Sequence, residues 1–277
     1  MSYFASVIVA ACLSVSQTPM PVADIAIIID DIGYDYRNSR AAVELDHPFA
    51  YAVLPFSPHA RDLARLANDL DKNVIVHLPM EADADNHALG PGALMMGMSQ
   101  PEISAALSES LAAVPYAVGL NNHMGSRLTR QSDAMGWLMQ AIVARGDLFF
   151  VDSRTTSGSV ALQAALQADI AATARDVFID NEQSPEAITR QLAALVKRAK
   201  QVGHALGIAH PHAVTIDVLR NWHPIEAGVR VIKLADYIAN YRRGGARLTV
   251  ASAQTTTTEC GDESEHAATA EYPHAQR

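Results

Sequence analysis

The sequence predicts an α/β fold, a (β/α) barrel of seven to eight parallel strands, from three observations. Short apolar runs rich in β-branched residues recur along the middle of the chain, as strands buried on both faces require. Helical patterns with apolar residues on one face stand between these runs, which indicates repeated βα units and a parallel sheet. With this many units, a closed barrel is favoured over an open, doubly wound sheet.

Eight runs are predicted as strands. The first is IAIIID at 25–30, and the others lie at 49–55, 73–79, 117–123, 148–153, 174–180, 205–210 and 229–234. One intervening helix is predicted to begin at a capping box of Ser99 and Glu102 and to end at Pro115. Another begins at Pro185, directly after Ser184. The long connection at 82–100 predicts a loop over one face of the barrel.

The two ends of the chain differ from its middle. We expect residues 1–23 to be an export segment, because the apolar stretch at 3–12 is followed by a polar stretch, as in a secretory signal. The apolar stretch is shorter than the roughly 20 residues that span a membrane. As an alternative, VAAC at 9–12 has the form of a lipoprotein signal, which would make Cys12 a lipid anchor. Residues 24–242 are predicted to form the barrel domain, and residues 243–277 a disordered tail.

Composition excludes several classes of function. The formal net charge is −9 and no Lys/Arg-rich run occurs, so no nucleic-acid partner is expected. The two cysteines, Cys12 and Cys260, lie outside the predicted barrel, which excludes a disulfide scaffold and a cysteine-ligated zinc site. No GxSxG, GxGxxG or P-loop motif follows a predicted strand, which disfavours a serine hydrolase and a nucleotide cofactor.

Polar residues follow five of the predicted strands. Because active sites of (β/α) barrels lie at the carboxyl ends of the strands, these residues are expected to converge on one rim. They are Asp30 with Asp31, His77 with Glu81, Asn121 to His123, Asp152, and His210.

Each of these residues also has a purely structural interpretation. Asp30 and Asp31 could mark the end of a strand, and Asp152 could cap the next helix. His77 and His123 could be buried histidines that bond to the backbone. The convergence of five strand ends favours a functional site over these separate explanations.

The residue types indicate metal-dependent hydrolysis. Carboxylates and imidazoles without thiolates suit zinc or a similar divalent ion, and three protein ligands would leave one coordination position open. A further carboxylate can act as general base, and a histidine from another strand as general acid. Together, such groups can hydrolyse an amide or an ester without a covalent intermediate.

Six segments, in chain order, resemble the divergent polysaccharide deacetylase family of exported bacterial proteins. They are IAIIIDDIGYD, AVLPFSPHA, VIVHLPME, YAVGLNNHMGSRLT, FFVDSRTT and GIAHPH, and the resemblance covers about residues 24–240. It implies a distorted (β/α) barrel in the periplasm that uses a divalent metal, with Zn²⁺ as the expected ion. The implied activity is removal of acetyl groups from an acetylated amino-sugar polysaccharide of the envelope or the extracellular space.

The resemblance also implies roles for individual residues. Asp30 matches the general base, Asp31 and His77 match metal ligands, and His210 matches the general acid. Glu81 stands where such deacetylases have a second metal histidine, and it is one candidate for the third ligand. We infer His123 as the other candidate, and the sequence leaves both open.

Two further roles are our own inferences from the departures. The arginine motif of related deacetylases is absent and NNHMGSRLT stands in its place, so Arg127 is expected to pair with Asp30. Asp152 is expected to orient His210 by accepting its other ring N–H.

Two hypotheses from different classes follow. The first is a metal-dependent polysaccharide deacetylase, and the second is a catalytically inactive barrel that binds glycan or an envelope partner. Retention of the Asp-Asp pair and the histidines favours the first, whereas loss of the second motif histidine and of the arginine motif favours the second. A phosphoesterase is a weaker third hypothesis, because no Lys/Arg cluster is evident near the strand ends.

Overall fold

A computed structural model describes residues 22–241. Residues 1–21 of the predicted export segment, including Cys12, lie outside the described residues. The predicted tail at 243–277 also lies outside them. Within the described part, no helix combines the length and apolar character needed to cross a membrane.

The described residues form one parallel sheet of nine strands. Eight of them follow the order β6-β5-β4-β3-β2-β1-β8-β7, and β9 pairs with the first residues of β1. The strands are β1 Ala23–Ile32, β2 Ala50–Val53, β3 Val74–Met80, β4 Ala117–Met124, β5 Phe149–Asp152, β6 Ala172–Ala174, β7 Val177–Phe178, β8 His204–Ala209 and β9 Val229–Val231.

Eight α-helices occur within residues 22–241; seven of them connect strands, and α8 follows β9. The capping box of Ser99 and Glu102 opens α3, and Ser184 caps α6 with Pro185 in its first turn, as predicted. The helices are α1 Tyr36–Val43, α2 Ala60–Asp69, α3 Gln100–Ala113, α4 Ser132–Val143, α5 Ala161–Gln167, α6 Pro185–Val202, α7 Ala213–Arg220 and α8 Leu234–Asn240.

The barrel closes at a seam between β6 and β7. These strands stand at the two ends of the sheet order, yet only Arg175 and Asp176 separate them along the chain. The backbone N–H of Arg175 donates to the carbonyl of Asp152 on β5, and that of Asp176 to the carbonyl of Leu206 on β8. Two successive residues therefore join the two edges of the sheet in place of a regular ladder.

The two faces of the sheet carry separate apolar clusters, because successive side chains of a strand point to opposite faces. The outer cluster packs against the helices and includes Ile25, Ile27 and Ile29. The inner cluster fills the barrel below the site; it includes Ala26, Ile28, Ala50, Ala52, Ile75, Val151, Leu206 and Ile208. Residues of α8 join the inner cluster, and this helix covers the end of the barrel where the strands begin.

The predicted fold class is confirmed, with one local difference. The run at 174–180 was expected to be a single strand, but the structure divides this region into β6 and β7. The chain crosses the seam here and bonds first to β5 and then to β8, so neither segment continues as a full strand.

Candidate active site

Strand alternation places several of the predicted site residues on the inner face of the barrel. Each of these continues a series of inward-pointing positions at the carboxyl end of its strand. Asp30 follows Ala26 and Ile28, His77 follows Ile75, Asn121 precedes His123 by two positions, and His210 follows Leu206 and Ile208.

A left-handed residue turns the second carboxylate of β1 toward the same space. Strict alternation would direct Asp31 toward the helices, but its φ is 56° and the β1–β2 register shifts between Ile29 and Ile32. Irregularities of this kind re-aim side chains next to active sites. Asp31 Oδ1 consequently lies 3.2 Å from His77 Nε2 and 3.0 Å from His123 Nδ1.

Asp31, His77 and His123 form a compact group of three candidate metal ligands. The remaining side of the triangle, between His77 Nε2 and His123 Nδ1, measures 3.2 Å. Ligand atoms about 2.0–2.1 Å from a tetrahedral ion stand roughly 3.3 Å apart, so the triangle fits zinc coordination. In addition, Asp31 Oδ1 is buried and accepts no hydrogen bond, an arrangement that a cation would satisfy.

The outer nitrogen of His123 faces a backbone carbonyl. His123 Nε2 lies 3.4 Å from the oxygen of Ala88, which belongs to the loop between β3 and α3. Because a carbonyl oxygen only accepts, this contact places the proton on Nε2 and leaves Nδ1 with a lone pair toward Asp31. The long loop that the sequence placed over one face of the barrel therefore helps to orient a candidate ligand.

Asp30 is a second carboxylate, which lies beside the three candidate metal ligands and has its own hydrogen-bond partner. Its side chain is buried, accepts a hydrogen bond from Asn121 Nδ2 at 2.8 Å and lies 3.6 Å from His77 Nε2. Burial raises the pKa of Asp30 above its ordinary value, although His77 and His210 counteract part of the effect.

For Asp31, burial also raises the pKa, but the adjoining imidazoles of His123 and His77 outweigh it and lower the pKa well below its usual range. The two neighbouring carboxylates are thus differentiated, as a base and a ligand require.

His210 lies across the cleft from the three candidate metal ligands and is paired with Asp180. His210 Nδ1 is 2.9 Å from Asp180 Oδ1, while Asp180 Oδ2 accepts hydrogen bonds from His210 N and Thr215 Oγ1. Burial lowers the pKa of His210, but the bond to Asp180 and the charge of Asp30 outweigh it and raise the pKa to about 9. His210 Nε2 is left facing Asp31 Oδ2 at 3.9 Å.

A second group of metal-ligand types, Asp180, His210 and His212, also occurs in the described residues. Its carboxylate already accepts three hydrogen bonds, from the backbone and ring of His210 and from Thr215. His212 Nε2 contacts the side chain of Gln183 at 3.0 Å. These existing bonds make the group a weaker candidate for metal binding than Asp31, His77 and His123.

The expected pairing of Asp152 with His210 is wrong. Phe149 and Val151 of β5 face the inside of the barrel, so alternation directs Asp152 outward. There its carboxylate accepts hydrogen bonds from Arg154 N, Ser159 Oγ and Leu162 N, at the start of α5. Asp152 therefore has the capping role that the sequence allowed as an alternative.

The expected pairing of Arg127 with Asp30 is also wrong. Arg127 Nη1 donates to Glu81 Oε1 at 3.0 Å, and Glu81 Oε2 accepts from Met96 N at 2.6 Å. The chain leaves β3 after Met80, so Glu81 turns away with the loop and ties it to the segment that follows β4. Of the two candidates for the third ligand, the structure places His123 beside Asp31 and His77. The Glu81 carboxylate is instead bonded to Arg127 and to Met96 N.

The structure adds two arginines to the site that the sequence did not indicate. Arg154 and Arg175 line the same cleft as Asp30, and Arg175 Nη2 donates to the Arg154 carbonyl at 2.8 Å. The Arg175 guanidinium also stacks on Phe178, with 5.1 Å between its central carbon and the ring centroid. A pair of cations therefore stands near the strand ends, contrary to the expectation that no such cluster exists.

The site opens into a cleft of about 430 Å³. A larger groove of about 830 Å³ between α6 and α7 is mainly apolar and contains none of the predicted site residues. The chemistry therefore identifies the smaller cleft as the candidate active site. Its lining includes Asp30, Asp31, His77, Asn122, His123, Ser153, Arg154, Thr155, Arg175, Phe178, Asn181 and His210.

Comparisons with known proteins identify relatives of this chain. The chain is 36% identical over 215 residues to the uncharacterized protein YibQ of Escherichia coli K12, covering 78% of this chain and 67% of that protein. It is 32% identical over 196 residues to an uncharacterized protein of Haemophilus influenzae, covering 71% of this chain and 69% of the relative. The crystal structure of uncharacterized protein ATU2773 from Agrobacterium tumefaciens C58 shares the fold, with a TM-score of 0.74, 20% identity, and coverage of 79% of this chain and 91% of that chain. A sequence model of one family matches residues 27–237, and the chain belongs to that family, the divergent polysaccharide deacetylases.

Proposed function

We propose that this protein is a metal-dependent hydrolase that removes acetyl groups from amino sugars of a cell-envelope or extracellular polysaccharide. The observation that carries the proposal is the placement of a metal-ligand triangle, a buried carboxylate and a paired histidine around one cleft. Asp31 belongs to the triangle and lies 3.9 Å from His210, which unites the two halves of the site. Membership in the deacetylase family supports an acetylated polysaccharide as substrate.

Different residues of the site would perform the separate steps of amide hydrolysis. Asp31, His77 and His123 would hold a divalent ion, with Zn²⁺ as the proposed identity, and such an ion polarises a bound carbonyl and lowers the pKa of water. Asp30 stands beside this group and is not part of it, so its carboxylate can accept the proton of the attacking water.

His210 is suited to protonate the leaving amine. Its Nδ1 is held by Asp180 and its Nε2 faces the cleft, and the raised pKa keeps the ring protonated at neutral pH. A leaving amine needs a proton before the bond to the acyl carbon breaks, so an acid on this side completes the reaction. Location in the cell envelope is part of the same proposal and rests on the export segment expected at residues 1–23.

The decisive experiment measures metal content and acetate release together. Full-length protein should bind about one equivalent of zinc or another divalent ion at Asp31, His77 and His123. Asp31→Ala should lose that metal and all acetate release from N-acetylated chitin and peptidoglycan fragments. Wild-type protein that binds no divalent ion, even when zinc is offered, would overturn the proposal.

Two controls distinguish the other hypotheses. Metal-loaded protein that binds these glycans without releasing acetate would support the inactive, glycan-binding barrel. Phosphate monoesters should be included because Arg154 and Arg175 place cations in the cleft. Turnover of the monoester in preference to the acetylated glycans would replace the deacetylase proposal with a phosphoesterase.

A further inference from the structure

Asn121 connects the candidate base with a candidate metal ligand. It is fully buried and lies opposite His77 in the parallel register of β3 and β4, so the two side chains share the inner face. Asn121 Nδ2 donates to Asp30 Oδ1 at 2.8 Å, and Asn121 Oδ1 lies 2.7 Å from His77 Nδ1. The side-chain amide of Asn121 therefore contacts both the candidate base, Asp30, and the candidate metal ligand, His77.

The polarity of these contacts determines the tautomer of His77. An ionised carboxylate only accepts hydrogen bonds, so the NH₂ group of Asn121 must face Asp30 and its carbonyl must face His77. The carbonyl also only accepts, which places the proton of the imidazole on His77 Nδ1. His77 Nε2 then presents its lone pair to the space beside Asp31 Oδ1 and His123 Nδ1.

We propose that Asn121 is a positioning residue that selects the Nδ1-protonated tautomer of His77 and holds Asp30 beside it. The inference deepens the proposed function, because it assigns to Asn121 the coupling between metal binding and the general base. Groups that bond to the second nitrogen of a metal-binding histidine strengthen the ligand, and their loss costs about 10–100-fold in metal affinity.

Two substitutions separate the two contacts. Asn121→Ala removes both, so metal affinity should fall by about 10–100-fold, as measured by competition with a chelator. Asn121→Asp keeps an acceptor for His77 Nδ1 but loses the donor to Asp30. This variant should keep wild-type affinity or bind metal more tightly, while acetate release falls because two carboxylates then face each other.

Asn122 provides the matched control. It is the next residue, of the same type and also buried, but its side chain contacts neither Asp30 nor His77: Nδ2 donates to the Met124 carbonyl and Oδ1 accepts from Ser153 N. Asn122→Ala should lower thermal stability and leave metal affinity within about threefold of wild type. Equal losses of affinity in the alanine variants of both asparagines would indicate a general structural effect and overturn the proposal.

The tautomer can be read without metal or substrate. Long-range ¹H–¹⁵N spectra of the metal-free protein, recorded at a pH where His77 is neutral, distinguish Nδ1–H from Nε2–H. Wild-type protein and Asn121→Asp should show the Nδ1–H form, and Asn121→Ala a mixture. An Nε2–H form in the wild type would overturn the inference even if metal binding and deacetylation were established. A wild-type Nδ1–H form in a protein that binds no metal would instead leave the inference standing and remove the proposed function.

Discussion

His210 Nδ1 lies 2.9 Å from Asp180 Oδ1, and the same carboxylate accepts the backbone N–H of His210 at 2.6 Å. Because the ring and the backbone of one residue bond to one carboxylate, the imidazole is fixed in both position and rotation. The Asp180 side chain is fully buried, so solvent does not compete for these bonds. This pair establishes the orientation in which His210 Nε2 faces the cleft.

Asp180→Asn is expected to move the alkaline limb of the pH–rate profile to lower pH. The bond to Asp180 contributes to raising the pKa of His210 to about 9, and a general acid is active only below its pKa. Removal of the negative charge should therefore shift this limb down by about one unit or more. Asp152→Asn is the matched control, because Asp152 caps α5 on the outer face. It should lower stability without moving the limb, and an equal shift in both variants would contradict the role of Asp180.

Asp30→Asn is expected to keep the metal and lose turnover. Asparagine preserves the shape of the side chain but cannot accept a proton from water, so kcat should fall by about 10²–10⁴-fold. Elemental analysis should still find the wild-type metal content, since Asp30 is not part of the ligand triangle. Full activity in this variant would show that another group is the base.

His123→Ala is expected to lose metal, whereas Glu81→Gln is expected to keep it. His123 Nδ1 lies in the triangle, while Glu81 is bonded to Arg127 and to the backbone of Met96. Metal titration of both variants checks the assignment. The opposite result, with metal lost only from Glu81→Gln, would identify Glu81 as the third ligand.

Gly33→Ala is expected to destabilise the protein by about 1–3 kcal/mol. Gly33 has a φ of 136°, and an added Cβ would overlap Ser57 Oγ and lie 2.8 Å from Ser57 Cβ. Chemical denaturation of Gly33→Ala, Ser57→Gly and the double variant forms a cycle that isolates this contact. The double variant should be more stable than the sum of the single effects predicts, because the next nearest atom, the Leu54 carbonyl oxygen, is 3.7 Å away. Strict additivity would show that the clash is not the cause.

Much of the site could be predicted because its residues end apolar strands. Asp30, His77 and His210 interrupt runs that are otherwise apolar, and barrel geometry gathers the carboxyl ends of parallel strands on one rim. Chain position and residue type were sufficient for these three residues. The tie between Glu81 and Arg127 was not predictable in this way, because it depends on the path of a long loop.

The facing direction of Asp152 could not be read from its strand. The segment FFVD is buried on both faces, so its apolar pattern contains no alternation that would mark which side chains point inward. Asp180 was missed for a related reason, since the predicted strand at 174–180 included it as an ordinary last residue. The seam that divides this region brings Asp180 to His210 and Arg175 to Arg154, and nothing in the local sequence marks such a crossing.

The register between β1 and β8 has a consequence for how the protein can move. Ile29 lies opposite Ala209, so the next residues along the two chain segments, Asp30 and His210, lie at the same level. Neighbouring strands are about 4.8 Å apart, and the backbones of Asp30 and His210 are separated by that one spacing. Movements of the loops around the cleft are therefore expected to leave the spacing of Asp30 and His210 unchanged.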